Sequence, residues 1–113
     1  MGRSHWHVIE EKEGGALTVA RRMPVRFDLA VETVLSGTTG RRRLAHLVCQ
    51  DLWRALQSLR GFAPAVQVRR DERSMHVRAG GAVMGRFDRI GYEALIAQVL
   101  EDGAKRARWM GRF

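Results

Sequence analysis

Apolar and polar side chains alternate along residues 17–35. Most odd positions are apolar, whereas charged residues occupy several even positions. A period of two is typical of strands with one buried face, because successive side chains of a strand point to opposite sides of the sheet. Pro24 lacks an N–H group and should interrupt the hydrogen-bonded ladder. The pattern predicts strands near residues 16–22 and 25–35, preceded by a shorter strand at residues 4–10.

The period changes to that of a helix after Gly40. Apolar residues recur at spacings of three and four over residues 44–59, which is typical of an amphipathic helix. Gly61 and Pro64 follow, and this order of residues commonly ends a helix. We expect the apolar side of this helix to enter the core. Its polar side carries Arg43, His46, Gln50, Arg54 and Gln57.

The strand pattern returns after the helix. Residues 66–69 and 75–79 alternate on either side of a polar connection, which predicts a hairpin. Gly80 and Gly81 are expected to turn the chain again, because adjacent glycines are a common turn signal. Residues 82–87 would then form a third, short strand.

A second helix is predicted from Tyr92, either ending at Asp102 or continuing through the basic residues 104–110. The element order is then β-β-β-α-β-β-(β)-α, which defines an α+β fold. Because each strand has one apolar face, we expect a mainly antiparallel sheet with both helices packed on one side. The 113 residues fit a single domain, with residues 1–15 and 104–113 at its periphery.

The net charge of +8 is distributed unevenly. Residues 1–40 hold five basic and five acidic residues, so all of the excess follows Gly40. A basic surface attracts nucleic acid, acidic protein surfaces and anionic lipid alike. Eighteen of the 20 basic residues are arginine. The alternative is therefore that the excess reflects a GC-rich coding sequence rather than a partner.

Membrane and disulfide-bonded proteins are not expected from this sequence. No apolar run approaches the ~20 residues that span a bilayer, and the first residues do not resemble a signal peptide. The single Cys49 cannot form an internal disulfide. We expect a soluble, cytoplasmic protein without a transmembrane segment.

Catalytic and metal-binding motifs are also missing. The chain has no Walker A, HExxH, GxSxG or CxxC motif, so we expect a non-enzymatic protein without catalytic residues or a cofactor. His5 with His7, and His46 with Cys49, have spacings that permit metal ligation. A zinc site needs three or four convergent ligands, so neither pair predicts one alone. We expect no metal.

The segment Ser-Gly-Thr-Thr-Gly-Arg-Arg-Arg at residues 36–43 is the first candidate anion site. It joins a strand to a helix N-terminus, where unpaired N–H groups and the helix dipole attract phosphate. The candidate ligands are Thr38, Thr39, Arg41, Arg42 and Arg43. The alternative is an ordinary turn, in which Thr38 or Thr39 caps the helix and the arginines are solvated.

The outward side of the predicted hairpin is the second candidate. If the helices cover Val66 and Val77, the opposite side presents Gln67, Arg69, His76 and Arg78. Such a basic sheet face binds RNA or single-stranded DNA when aromatic groups on it stack bases. Solvent exposure or coverage by a second subunit are the alternatives.

The C-terminal segment interleaves cations with large apolar side chains. Arg106, Arg108, Trp109 and Phe113 form a candidate docking segment for a partner, for bases or for an anionic membrane. The alternative is that Trp109 and Phe113 fold back on the core of the same domain.

Two functions are compatible with these features. The first is a small basic binding module that contacts an anionic partner, nucleic acid above all, with an acidic protein surface as the other candidate. The second is an accessory or assembly protein, including a homodimer, that docks through its sheet face or its C-terminal segment.

Overall fold

The computed structural model describes residues 5–112, so residue 4 of the predicted first strand and Phe113 lie outside the described residues. Within them, five strands form one antiparallel sheet in the order β1-β2-β4-β5-β3. The elements are β1 (His7–Glu10), β2 (Ala16–Ala20), β3 (Leu29–Ser36), α1 (Arg41–Ala55), β4 (Ala63–Arg70), β5 (Ser74–Ala82), α2 (Arg89–Glu101) and α3 (Gly103–Trp109).

The helices pack on one face of this sheet, which confirms the predicted α+β class. Val66 at the centre of the sheet pairs with Val19 on one side and with Ala79 on the other. These residues form one buried cluster with Leu52 of α1 and Ile96 of α2. The expected alternation supplies this face, because every second side chain of each central strand is apolar.

The predicted third strand at residues 82–87 is wrong. Strand β5 continues through Gly80 and Gly81 to Ala82, and the chain then forms a loop. The two glycines serve close packing rather than a turn: a Cβ atom on Gly80 would overlap the carbonyl oxygen of Leu29 on the neighbouring strand. A glycine pair has the same sequence signature in both cases, since both require a missing side chain.

The helix boundaries also differ from the predicted ones. Helix α1 ends at Ala55, although Leu59 of the following turns is still buried. Helix α2 begins at Arg89 rather than at Tyr92, because the side chain of Asp88 accepts a hydrogen bond from the N–H of Gly91 and caps it.

A third helix follows α2 directly. Asp102 ends α2 and caps α3, since its carboxylate accepts the N–H of Lys105 at 2.9 Å. This hydrogen bond lowers the pKa of Asp102. The sequence left open whether the basic segment continues α2, and the structure separates it as α3. No helix within residues 5–112 has both the length and the apolar character needed to cross a membrane.

We predict that Gly80→Ala destabilises the protein by about 3 kcal/mol or more, because its methyl group meets backbone that cannot move without disrupting the ladder to β3. Urea unfolding measures the loss. The control is Gly103→Ala, since a Cβ atom there meets nothing within 4 Å. Equal stability of the two variants would contradict the close approach of β3 and β5.

Candidate functional site

The three arginines that open α1 diverge. Arg41 bonds to the carbonyl oxygen of Gly15 and, at 3.1 Å, to Glu10 Oε2. Arg43 donates to the carbonyl oxygen of Trp109 at 2.6 Å, so it binds the C-terminal end of α3. Arg42 is exposed on the outward side of the helix. Two of the three arginines among the predicted anion ligands therefore tie α1 to other elements of the fold.

The N-terminus of α1 has no side-chain cap. Gly40 is the N-cap residue, and no side chain accepts a hydrogen bond there. Thr38 is exposed and Thr39 is half-buried, so the alternative in which one of them caps the helix is not the observed one. The first turn also lacks an acidic residue. This end of α1 therefore keeps the positive end of the helix dipole together with the charge of Arg42.

The sheet face opposite the helices, called the open face below, brings the second set of predicted residues together. Gln67, Arg69, His76 and Arg78 line one shallow cleft of about 50 Å³ with Glu32. Glu32 lies directly opposite Arg78 in the register of β3 and β5. A carboxylate therefore faces one of the two arginines of this cleft.

The remaining polar groups of the open face are also engaged. Asp71 Oδ2 lies 2.7 Å from His76 Nε2. The backbone N–H of Arg73, together with His76 and Ser74, holds the pKa of Asp71 far below its usual value, so the carboxylate stays charged. With Glu32, it offsets the two arginines. The open face is therefore polar and close to neutral.

Both arginines of the open face also have structural contacts. Arg69 Nε donates to the carbonyl oxygen of Gly14 at 3.1 Å. The Arg78 guanidinium lies 4.3 Å from the centre of the Phe27 ring, within the range of a cation–π contact. The hairpin has no aromatic residue of its own on this face. Phe27 is the nearby ring that could stack on a base, but the Arg78 guanidinium already covers it.

The C-terminal segment folds back on this chain. Trp109 is 0% exposed, and its indole Nε1 donates to Asp51 Oδ2 at 2.7 Å. Arg108 forms an ion pair with the same carboxylate, which is 4% exposed. The structure thus shows the alternative in which Trp109 packs into the domain's own core. Its ring is not accessible to a partner in this conformation.

The other arginines of this segment bind the edge of the sheet. Arg106 donates to the carbonyl oxygen of Val34 at 2.8 Å and to that of Leu100 at 2.7 Å. Arg112 donates to the carbonyl oxygen of Ser36 at 2.6 Å. Phe113, the last predicted docking residue, lies outside the described residues.

A different surface carries exposed cations together with aromatic rings. Its helical part follows the outward side of α1 and of the turns after it, where residues recur at spacings of four and three. Its other part comes from the N-terminal strands. We call it the basic–aromatic surface; its residues are Trp6, Arg21, Arg22, Arg42, His46, Gln50, Trp53, Gln57 and Arg60.

Ring contacts connect the two parts of this surface. The rings of Trp6 and His46 meet edge to face with 6.4 Å between their centres. The Arg21 guanidinium lies 5.8 Å from the centre of the Trp6 ring, and it donates to the carbonyl oxygen of His5 at 3.0 Å. Burial, together with the charge of Arg42, lowers the pKa of His46, so this imidazole is neutral at neutral pH.

A cleft of about 270 Å³ lies at the far end of the surface. Arg22, Trp53, Gln57 and Arg60 line it, and the buried side chains of Leu56 and Phe62 contribute to its lining. Trp53 is 43% exposed, whereas a large aromatic side chain is usually well buried. The cleft thus combines an accessible indole with two guanidinium groups.

No carboxylate is among the nine residues of the basic–aromatic surface, although the exposed Glu10 pairs with Arg41, the sequence neighbour of Arg42. The one acidic residue of α1 is Asp51, which is buried against α3 and paired there. The basic–aromatic surface therefore differs from the open face, where Glu32 and Asp71 balance the arginines. The cations at its Trp53 end, Arg22 and Arg60, can attract an anion.

Sequence reasoning missed most of this surface. Trp53 occupies a position on the polar side of the helical pattern, between Gln50 and Gln57. A large aromatic residue at such a position indicates an exposed ring. Trp6 reaches Arg21 because β1 and β2 pair, with His7 opposite Ala20. That register was not part of the sequence prediction.

The candidate metal ligands do not converge. Within residues 5–112, no group of three or more His, Cys, Asp or Glu side chains is arranged to hold a metal ion. Cys49 is fully buried, its Sγ lies 3.5 Å from the carbonyl oxygen of Val19, and burial raises the pKa of its thiol.

No protein-family model, curated protein or solved structure matches this chain. Its function is therefore inferred from the charges, rings and cleft of its own surface.

We predict unequal losses of stability for two Trp→Phe substitutions. Trp109→Phe removes the N–H group that bonds to buried Asp51 and should cost about 1–3 kcal/mol of stability. Trp53→Phe changes an exposed ring and should stay within about 0.5 kcal/mol of the parent. Chemical denaturation followed by circular dichroism compares them. If Trp109→Phe were as stable as the parent, the C-terminal segment would not be anchored at Asp51.

Proposed function

We propose that this protein is a nucleic-acid-binding module and that the basic–aromatic surface is its contact surface. The observation that carries the proposal is an exposed set of arginines and tryptophan without a carboxylate among them. Phosphate contacts supply most of the sequence-independent affinity for nucleic acid, and exposed rings add stacking with bases.

The geometry favours this surface over the three predicted from the sequence. Arg41 and Arg43 of the 36–43 loop, and Arg106 and Arg108 of the C-terminal segment, are engaged in hydrogen bonds that hold the fold together. The open face carries balancing carboxylates. Arg42 belongs to both the predicted loop site and the basic–aromatic surface, so part of the loop prediction is retained in the proposal.

The spacing of the cations suits an extended anion. Arg42 lies in the first turn of α1, whereas Arg60 lies five residues beyond the end of the helix at Ala55. The helical rise from Arg42 to Ala55 is about 20 Å, so Arg42 and the residues beyond the end of α1 lie at opposite ends of this surface. A small anion does not bridge such a distance, whereas a polynucleotide backbone places several phosphates along it. An acidic protein surface is the competing partner.

The test measures binding of a fluorescein-labelled oligonucleotide by anisotropy between low and moderate salt. If Arg42 and Arg60 contact phosphates, replacing both by Gln should weaken binding and flatten the slope of log affinity against log salt by about 1 to 2. The matched control is the pair Arg69→Gln and Arg78→Gln on the open face, which should leave the slope unchanged.

The outcomes separate the candidate surfaces and partners. A flatter slope in the control pair alone would move the site to the open face. Absence of oligonucleotide binding at low salt, with binding of poly-glutamate instead, would replace the proposal by an acidic protein partner. Circular dichroism of each variant verifies that the fold is retained.

A second candidate function is homodimeric assembly through the open face. The supporting observation is that no helix within residues 5–112 covers this face, and that Val34 on its edge strand is 50% exposed. Ala20 and Ala65 lie on the same face but are buried within this chain, so the surface available to a second sheet is the part beside Val34. Sedimentation at high salt should then show a dimer. A monomer at every concentration would exclude this candidate.

A further inference from the structure

The cleft beside Trp53 has the chemistry of a site for a planar ring that carries an anion. One wall is an indole, and the lining beneath it includes Leu56 and Phe62, both nearly inaccessible to solvent. Two guanidinium groups, from Arg22 and Arg60, belong to the same cleft. The accessible indole of Trp53 favours a planar ring beside it, while the arginines favour a negative group next to that ring.

The exposure of the Trp53 side chain leaves part of a large apolar ring in contact with water, which is unfavourable. It is absent from the large group of side chains that pack on the core, although α1 buries nearly all of its other large apolar residues. An accessible tryptophan in a concave site is a frequent anchor for a ligand ring. The cleft volume of about 270 Å³ is sufficient for one planar heterocycle rather than for a bulky helix.

We propose that this cleft holds one unpaired nucleobase stacked on Trp53, with the adjoining phosphates bound by Arg22 and Arg60. This inference rests on the proposed function and specifies its ligand as single-stranded nucleic acid. The faces of bases inside a duplex are covered by their neighbours, so they are not available to Trp53. The amide of Gln57, which has both donors and an acceptor, lies in the same cleft and can bond to the edge of the base.

Trp6 does not offer an equivalent site. Its ring packs against the core, meets the His46 ring edge to face and lies beneath the Arg21 guanidinium. These contacts occupy the surroundings of the ring. Trp109 is fully buried. Of the three tryptophans in the chain, Trp53 is therefore the one whose side chain is accessible for stacking.

The experiment compares two labelled strands of equal length and charge: oligo(dT) and an abasic strand that has the same phosphates but no bases. The parent protein should bind oligo(dT) about tenfold to a hundredfold more tightly, because one stacked base contributes an affinity of that order. Trp53→Ala should remove this preference and leave the salt slope unchanged. Trp53→Phe should retain most of the preference, since a phenyl ring still stacks.

Tryptophan emission gives an independent measurement. Oligo(dT) should quench part of the emission of the parent protein, and the abasic strand should not. The quenching should disappear in Trp53→Phe, in which Trp6 and Trp109 are unchanged.

The possible failures are distinguishable. Equal affinity for the two strands, with a normal salt slope, would overturn the base site and leave the proposed function intact. A preference for oligo(dT) that persists in Trp53→Ala would place the stacked base elsewhere. Failure of both strands to bind at low salt would overturn the proposed function and the base site together. Tighter binding of a duplex than of oligo(dT) would also overturn the base site.

Discussion

The buried carboxylate of Asp51 holds the C-terminal helix α3 in place. A carboxylate away from water is costly unless charged or N–H groups surround it. Here it accepts the indole N–H of Trp109 and pairs with Arg108, both from α3. Arg54, one turn along α1, adds an exposed partner at 3.2 Å. Because Trp109 and Arg108 both come from one short helix, satisfying Asp51 fixes α3 against α1.

The position of α3 determines which acceptors the neighbouring arginines bond to. With α3 held at Asp51, Arg106 and Arg112 reach carbonyl oxygens on the edge strand β3, and Arg43 reaches the C-terminal carbonyl of α3. Guanidinium groups suit this role, because one planar group donates to several acceptors at once and stays charged. The same contacts occupy backbone groups of an edge strand that would otherwise be open to another chain. Much of the arginine excess is thus structural.

The sequence predicted the parts of the fold that depend on local periodicity. Alternation identified the buried side of β2, β3, β4 and β5, and the three-four spacing identified α1. It did not reveal that β5 continues through Gly80 and Gly81, because a turn and a close approach of strands both select glycine. It also did not reveal the strand order, which places β3 beside β5 rather than beside β2.

The candidate sites show the same division between local and non-local information. The open face follows from alternation, and its exposed Arg69, His76 and Arg78 lie where the pattern placed them. Their balance with Glu32 depends on the register between β3 and β5, which joins residues 46 positions apart at the Arg78–Glu32 pair. The burial of Trp109 depends on its hydrogen bond to Asp51, 58 positions earlier in the sequence. Contacts between residues so far apart in the sequence produce no periodic pattern from which they could be predicted.

The asymmetry of charge along the sequence is therefore a poor guide to the asymmetry of charge on the surface. The N-terminal 40 residues are neutral in sum, yet they contribute Arg21 and Arg22 to the basic–aromatic surface. The strongly basic C-terminal segment contributes none of its arginines there, because they bond to backbone carbonyls and to Asp51. A cation that no carboxylate or carbonyl satisfies attracts an anion most strongly, and Arg21, which donates to the carbonyl oxygen of His5, is not such a cation. In this protein such cations stand beside Trp53, which is the reason why charge and stacking point to the same face of α1.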